Sequence, residues 1–216
     1  MDQFEIIDEQ ARAYYDARTQ ARDQVLVQAR KLTRLCAVTI RAIHRGESQA
    51  AHLTLEEAAG LVKEIKANLV EYPDLYFAGY TQDAIKEFAE ASVTCALIEK
   101  QALPLPGELG IETSTYVNGM AESIGELRRR CLDILRQGYS QDAERLLACM
   151  DEIYALLVTM DYPDAVTNGL RRQTDLARGI VERTRADLTM ALREQQLQNA
   201  LRDFENRLPG AFSQTE

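Results

Sequence analysis

Histidine is scarce: His44 and His52 are the only two in 216 residues, and in the sequence neither stands near an acidic pair. Ser-His-Asp hydrolysis and 2-His-1-carboxylate iron sites therefore have little to build on. Cysteine is also sparse. Cys36, Cys95, Cys131 and Cys149 are far apart, form no C-x-x-C, and fall at apolar-periodic positions, which reads as reduced core thiols rather than a zinc site or a disulfide framework. No apolar run approaches the roughly 18 residues of a membrane span. The first residues, MDQFEIIDEQ, are acidic where a signal peptide is basic and then apolar. The expectation is a soluble, cytoplasmic protein with no membrane association.

No stretch alternates in the manner of a strand, and the apolar period is helical almost throughout. With 46% apolar residues and 27% charged, the chain can build a full core. This predicts one all-α domain over 1–208, a multi-helix bundle of about six to seven helices with long N- and C-terminal members, followed by a flexible tail over 209–216. The first helix runs from about Phe4 to Arg45 and is closed by Gly46, with Val25, Ala29, Leu32, Cys36, Ile40 and Ile43 as its core stripe. Thr54-Leu55-Glu56-Glu57 has the form of a capping box, so a second helix starts at Thr54 and stops before Pro73. A third spans about Thr81–Gln101 and ends ahead of Pro104, Pro106, Gly107 and Gly110. The fourth spans Thr113–Gln137, the fifth starts at the N-cap Ser140, and Pro163 opens the last. Leu197, Leu201, Phe204 and Leu208 form a short heptad-like seam near its end, able to pack on its own bundle or on a neighbouring subunit.

Two glutamate pairs carry the chemistry. Glu87 and Glu90 in KEFAEA are three apart, and Glu122 and Glu126 in GMAESIGEL are four apart. Each spacing puts two carboxylates on one side of a helix, where they can converge on one cation without histidine. By spacing alone a solvated acidic face is the commoner meaning of such pairs. Lys86 lies four residues before Glu90, and Arg129 and Arg130 follow Glu126, so ordinary surface ion pairs also account for them. Against that, like charges at this spacing stabilise nothing by themselves, and Gly119, Ser123 and Gly125 let a second helix or a nucleic-acid backbone come close.

Taken in order, YPDLYFAGYTQDAIKEFAEA, YVNGMAESIGELRRRCLDIL and RRQTDLARGIVERTRADL resemble the translin family, and more closely its catalytic branch, translin-associated factor X. The resemblance runs from about Arg18 to Leu192. Its most specific parts are the E-x-x-E of KEFAEA and the acidic-S/T-x-G-E-L-x-R block that follows. It implies an all-α bundle, a homo-oligomer that is an octameric shell enclosing RNA, and a Mg²⁺-dependent endoribonuclease, with Mn²⁺ able to substitute. The carboxylates that hold the metal and serve catalysis in that branch match Glu87, Glu90 and Glu126. The fourth matches Glu122, where the branch carries aspartate. The extra methylene means that this carboxylate folds back or that its helix sits further off. Translin lacks the full set, so four acids here point away from a purely non-catalytic homologue.

A net charge of −9 demands a local answer if the partner is RNA. From Ala17 to Arg45 seven basic residues stand against Asp23 alone. Of these, Arg18, Arg22, Arg30, Arg34, Arg41 and Arg45 are the candidate RNA-binding residues, and the last four cluster on the face opposite the apolar stripe. An exposed basic face that pairs with acids of other helices is the plainer alternative. No base-reading motif is visible, so recognition of backbone and shape is expected. Two further readings remain open: a non-catalytic RNA- or single-stranded-DNA-binding shell, and an all-α nucleoside triphosphate pyrophosphatase that gathers Mg²⁺ with similar acidic pairs.

Overall fold

The structure, a computed structural model, describes residues 2–207. Leu208 of the predicted seam and the predicted tail lie outside these. Nine helices and no strands occur among the described residues. In chain order they are α1 (Gln3–His44), α2 (Ser48–Asn68), α3 (Pro73–Tyr76), α4 (Gly79–Ile98), α5 (Pro106–Leu109), α6 (Thr113–Leu135), α7 (Gln141–Val158), α8 (Asp164–Thr167) and α9 (Leu170–Arg207). Six are the long helices expected, and three are single turns.

The central element is α4. Its small residues Ala84, Ala89, Ala91, Ser92 and Ala96 are buried together with Ile85, Phe88, Val93 and Leu97, so α1, α2 and α6 can all approach it. From there α6 packs on α7 and α9 as well. The expected stripe of α1 is buried from Val25 to Ile43. Cys36, Cys95 and Cys131 are buried free thiols and Cys149 is half-buried. Burial pushes the Cys95 and Cys131 thiols up to about 12, which makes them inert packing groups at neutral pH.

Two boundaries differ from expectation for identifiable reasons. Thr54 does not cap α2; it lies within it. Its hydroxyl bonds back to Ala50 O and Ala51 O, 3.0 Å each, and sits 2.8 Å from the Thr39 hydroxyl, an arrangement open to threonine inside a helix. The helix extends back to Ser48 because Ala51 is fully buried against Ala42, Ile43 and Cys95. Likewise, Pro163 opens only the single turn α8. Asn168 and Gly169 then take left-handed conformations, with φ of 53° and 85°, and turn the chain before α9 begins.

The closest interhelical approach recorded at any glycine is at Gly119 on α6. A Cβ there would lie 2.6 Å from Lys86 O, 2.7 Å from Ala89 Cβ and 3.0 Å from Glu90 N, all on α4. Gly125, by contrast, faces open space. Gly119→Ala therefore has to push α4 and α6 apart and should cost on the order of 1–3 kcal/mol, read as a lower denaturation midpoint at unchanged slope. Gly125→Ala should leave the midpoint equal or higher.

Candidate metal centre

The approach at Gly119 lays one helical turn of α4 against one of α6 and faces their carboxylates toward each other. Glu87, Glu90 and Glu122 each offer a carboxylate oxygen, and these oxygens lie within 4.8 Å of one another. All three side chains are half-buried. Three of the four candidate acids are thus brought together, and Glu126, one turn further along α6, stands outside that group.

The four acids are not equivalent. On α6, Glu122 Oε1 accepts hydrogen bonds from Lys86 Nζ at 2.8 Å and from Gln173 Nε2 of α9 at 2.7 Å. Glu126 Oε2 accepts one from His44 Nε2 at 2.6 Å, with Arg129 Nη1 further off at 3.7 Å. On α4, neither Glu87 nor Glu90 has a side-chain hydrogen bond or ion pair among the described residues. Lys86 does not serve Glu90 as its position four residues earlier suggests; it turns to Glu122 and, at 3.8 Å, to Asp83.

The electrostatics follow this split. Burial, reinforced by the negative charges of Glu87, Glu122 and Glu126, pushes the Glu90 carboxyl up to about 8. Burial and Glu122 raise Glu87 in the same direction. The hydrogen bond from His44 instead holds Glu126 below the usual carboxylate range. Burial works against the Lys86 ammonium, but the hydrogen bond to Glu122 and the negative charges of Glu122, Asp83 and Glu87 together outweigh it and raise its pKa. Oxygen-only donors, mutual reach and excess negative charge fit a hard divalent cation such as Mg²⁺.

His44 and Gln173 are the site residues that sequence reasoning missed. The His44 side chain is 4% exposed, its Nδ1 is buried without a hydrogen-bond partner, and its backbone carbonyl accepts a bond from Arg130 at 3.2 Å. Its place one turn after the buried Ile40 was the available signal. Gln173 left none. His52 also meets an acid, at 2.8 Å from Glu99 Oε2, away from this centre.

Along α1 the six predicted arginines divide. Arg18 is engaged by Asp74 and lies over the rings of Tyr14 and Tyr72, and Arg22 sits 3.1 Å from Asp23. Arg30, Arg34, Arg41 and Arg45 are exposed, with no ion pair among the described residues, and fall within about 60° of one another around the helix.

No protein-family model matches the chain. An uncharacterized protein of Methanocaldococcus jannaschii is 31% identical over 191 residues, which cover 88% of this chain and 84% of that protein. The crystal structure of AfC3PO is 32% identical at a TM-score of 0.81, covering 87% of this chain and 98% of its own. An AfC3PO–duplex RNA complex, also 32% identical, superposes at 0.77 over 87% of this chain and 97% of its own. The chain belongs to the translin family. Apo-NeC3PO, at 20% identity and a TM-score of 0.77 over 88% of this chain and 98% of its own, shares the fold. In this translin-family chain α1, α4, α6 and α9 all contribute to the carboxylate centre.

The raised Glu90 pKa sets a sign for stability. The folded chain keeps this proton up to about pH 8, while the unfolded chain releases it near pH 4.5, so stability falls as pH rises through that window. In EDTA, Glu90→Gln should flatten the fall in melting temperature between these pH values. At the alkaline end it should melt at least about 2 °C higher than the parent. Parallel curves for the two proteins would remove Glu90 as the source.

Proposed function

We propose that this translin-family protein is a Mg²⁺-dependent endoribonuclease that hydrolyses RNA phosphodiester bonds within a homo-oligomeric, octameric shell, with Mn²⁺ able to replace Mg²⁺. The observation that carries the reading is the convergence of Glu87, Glu90 and Glu122, two of them without any other partner among the described residues. Glu87, Glu90 and Glu122 would hold the ion, with Glu126 beside them. When bound, the ion supplies charge neutralisation at the phosphoryl oxygens and a more acidic water. Lys86 orients Glu122 and adds a cation where a phosphate would approach. His44 pins one oxygen of Glu126 and keeps that group ionised at neutral pH.

RNA as the ligand is supported by the duplex complex of AfC3PO and by the four unpaired arginines of α1. These would follow backbone phosphates, while Arg18 and Arg22 already have acids beside them. Assembly is supported by the ends of the two longest helices. The first buried residue of α1 is Val25 and the last of α9 is Leu188. Beyond them Phe4, Ile7, Tyr15, Leu197, Leu201 and Phe204 are each more than half exposed, an apolar content that a second subunit would cover. No described helix is long and apolar enough to cross a membrane.

The decisive measurement is cleavage of a labelled single-stranded RNA with Mg²⁺ and with EDTA. Internal cuts that need Mg²⁺ and disappear in Glu87→Gln/Glu90→Gln, with assembly unchanged, are the expected result. Tight binding without cuts would leave a non-catalytic RNA-binding shell. In a separate titration, Arg34→Ala/Arg41→Ala should lower the salt slope of RNA binding by about 1–2. An unchanged slope would return these arginines to a plain solvated face.

A further inference from the structure

Beside the carboxylate centre lies a second, smaller space that the ribonuclease reading does not use. It is a cavity of about 220 Å³ at the junction of α3, α4, α6 and the α8–α9 turn, below the roughly 300 Å³ at which pockets begin to admit drug-sized ligands. Its walls carry four amides, Gln82, Asn118, Asn168 and Gln173, together with Phe77 and one charge of each sign, Asp83 and Lys86. Lys86 and Gln173 line it on one side and on the other hold Glu122 Oε1 at 2.8 and 2.7 Å. Cavity and carboxylate centre therefore share a wall.

The polar groups have a definite sense. Asn118 is 5% exposed, and its Nδ2 donates to Ser114 O at 2.9 Å and Thr167 O at 2.8 Å. Both of its protons are spent, so the amide is fixed with Oδ1 as an acceptor that receives no hydrogen bond from the described residues. Gln173 Nε2 spends one of its two protons on Glu122, which leaves one N–H and Oε1 unclaimed. The Asn168 side chain makes no hydrogen bond among the described residues, and its left-handed backbone, φ 53°, places it at the rim of the turn. Phe77 is 62% exposed, with only an edge-on neighbour in Tyr76, centroids 5.0 Å apart.

We infer that this cavity is a subsite for one unpaired nucleobase of the RNA strand, stacked on Phe77 and read by the amides. The inference rests on the ribonuclease reading for the identity of the strand. A flat, neutral ligand with hydrogen-bonding edges suits amide walls and an exposed ring, and a paired base in a duplex offers neither its face nor its pairing edge. Asn118 Oδ1, with both protons of its amide spent, asks for a donor. Adenine, cytosine and guanine present an exocyclic amine there, whereas uracil offers a single N–H, so uridylate is the disfavoured occupant. A base held here would set its phosphodiester against the Lys86–Glu122 wall.

The test is equilibrium binding in EDTA of short labelled oligoadenylate, oligouridylate and a blunt RNA duplex to the full chain and to two variants. Phe77→Leu keeps an apolar surface without the ring, and Asn168→Gly keeps the left-handed turn without the amide. The full chain should bind oligoadenylate more tightly than oligouridylate. Phe77→Leu should weaken oligoadenylate binding roughly 5- to 100-fold, and Asn168→Gly should erase the preference. Duplex affinity and melting temperature should stay unchanged in both. Equal affinity for the two oligomers, or variants that bind oligoadenylate as the parent does, overturns the subsite. Because no metal is present, the subsite can stand where Mg²⁺-dependent cutting fails, and cutting can stand where the subsite fails.

Discussion

Two helix backbones that touch at one glycine organise this molecule. With no side chain on Gly119, α6 settles against the carbonyl of Lys86 and the methyl of Ala89, and the residues one position away from those contacts on α4 are Glu87 and Glu90. Close packing converts three acids from two pairs, each unremarkable on its own helix, into one cluster. The same contact sets the position of Lys86, so the cation that steadies Glu122 arrives with the acids.

Gathering four carboxylates at a half-buried seam opposes folding, and the structure compensates only one side of it. The α6 acids receive donors from three other helices: Lys86 on α4, His44 on α1 and Gln173 on α9. The α4 acids receive none, and Glu90 accordingly holds its proton to about pH 8. A purely structural cluster would gain by pairing these two as well, and Lys86, with four methylenes and an ammonium on the same turn, is available. It points instead across the seam. The acids left without donors are thus the two that face the gap between the helices, the pair whose ionisation a divalent ion would favour most.

Much of this was legible locally. The stripe of α1, the Gly46 stop and the Ser140 cap follow from period and turn chemistry, and Ser140 does accept the amide of Asp142 at 3.2 Å. The glutamate pairs were legible as faces, and the family resemblance joined them. What escaped were choices decided by tertiary contact. Thr54 satisfies a capping pattern, but burial of Ala51 carries the helix past it. Pro163 is a sound helix opener, yet two successive left-handed residues cancel it one turn later. His44 and Gln173 reach their carboxylates from 82 and 51 residues away in sequence, beyond any local period.

The break at Asn168–Gly169 shows how a local irregularity becomes functional geometry. Had α8 and α9 been one helix, the segment before Leu170 would continue straight along the bundle. The turn instead folds Thr167 onto Asn118, whose amide is spent on its carbonyl, and starts α9 so that Gln173 meets Glu122 within its first turn. One loop thereby fixes an acceptor in the cavity wall, places a free amide at its rim, and supplies a donor to the carboxylate centre. Cavity and centre are consequences of the same two constraints, the Gly119 contact on one side and this turn on the other.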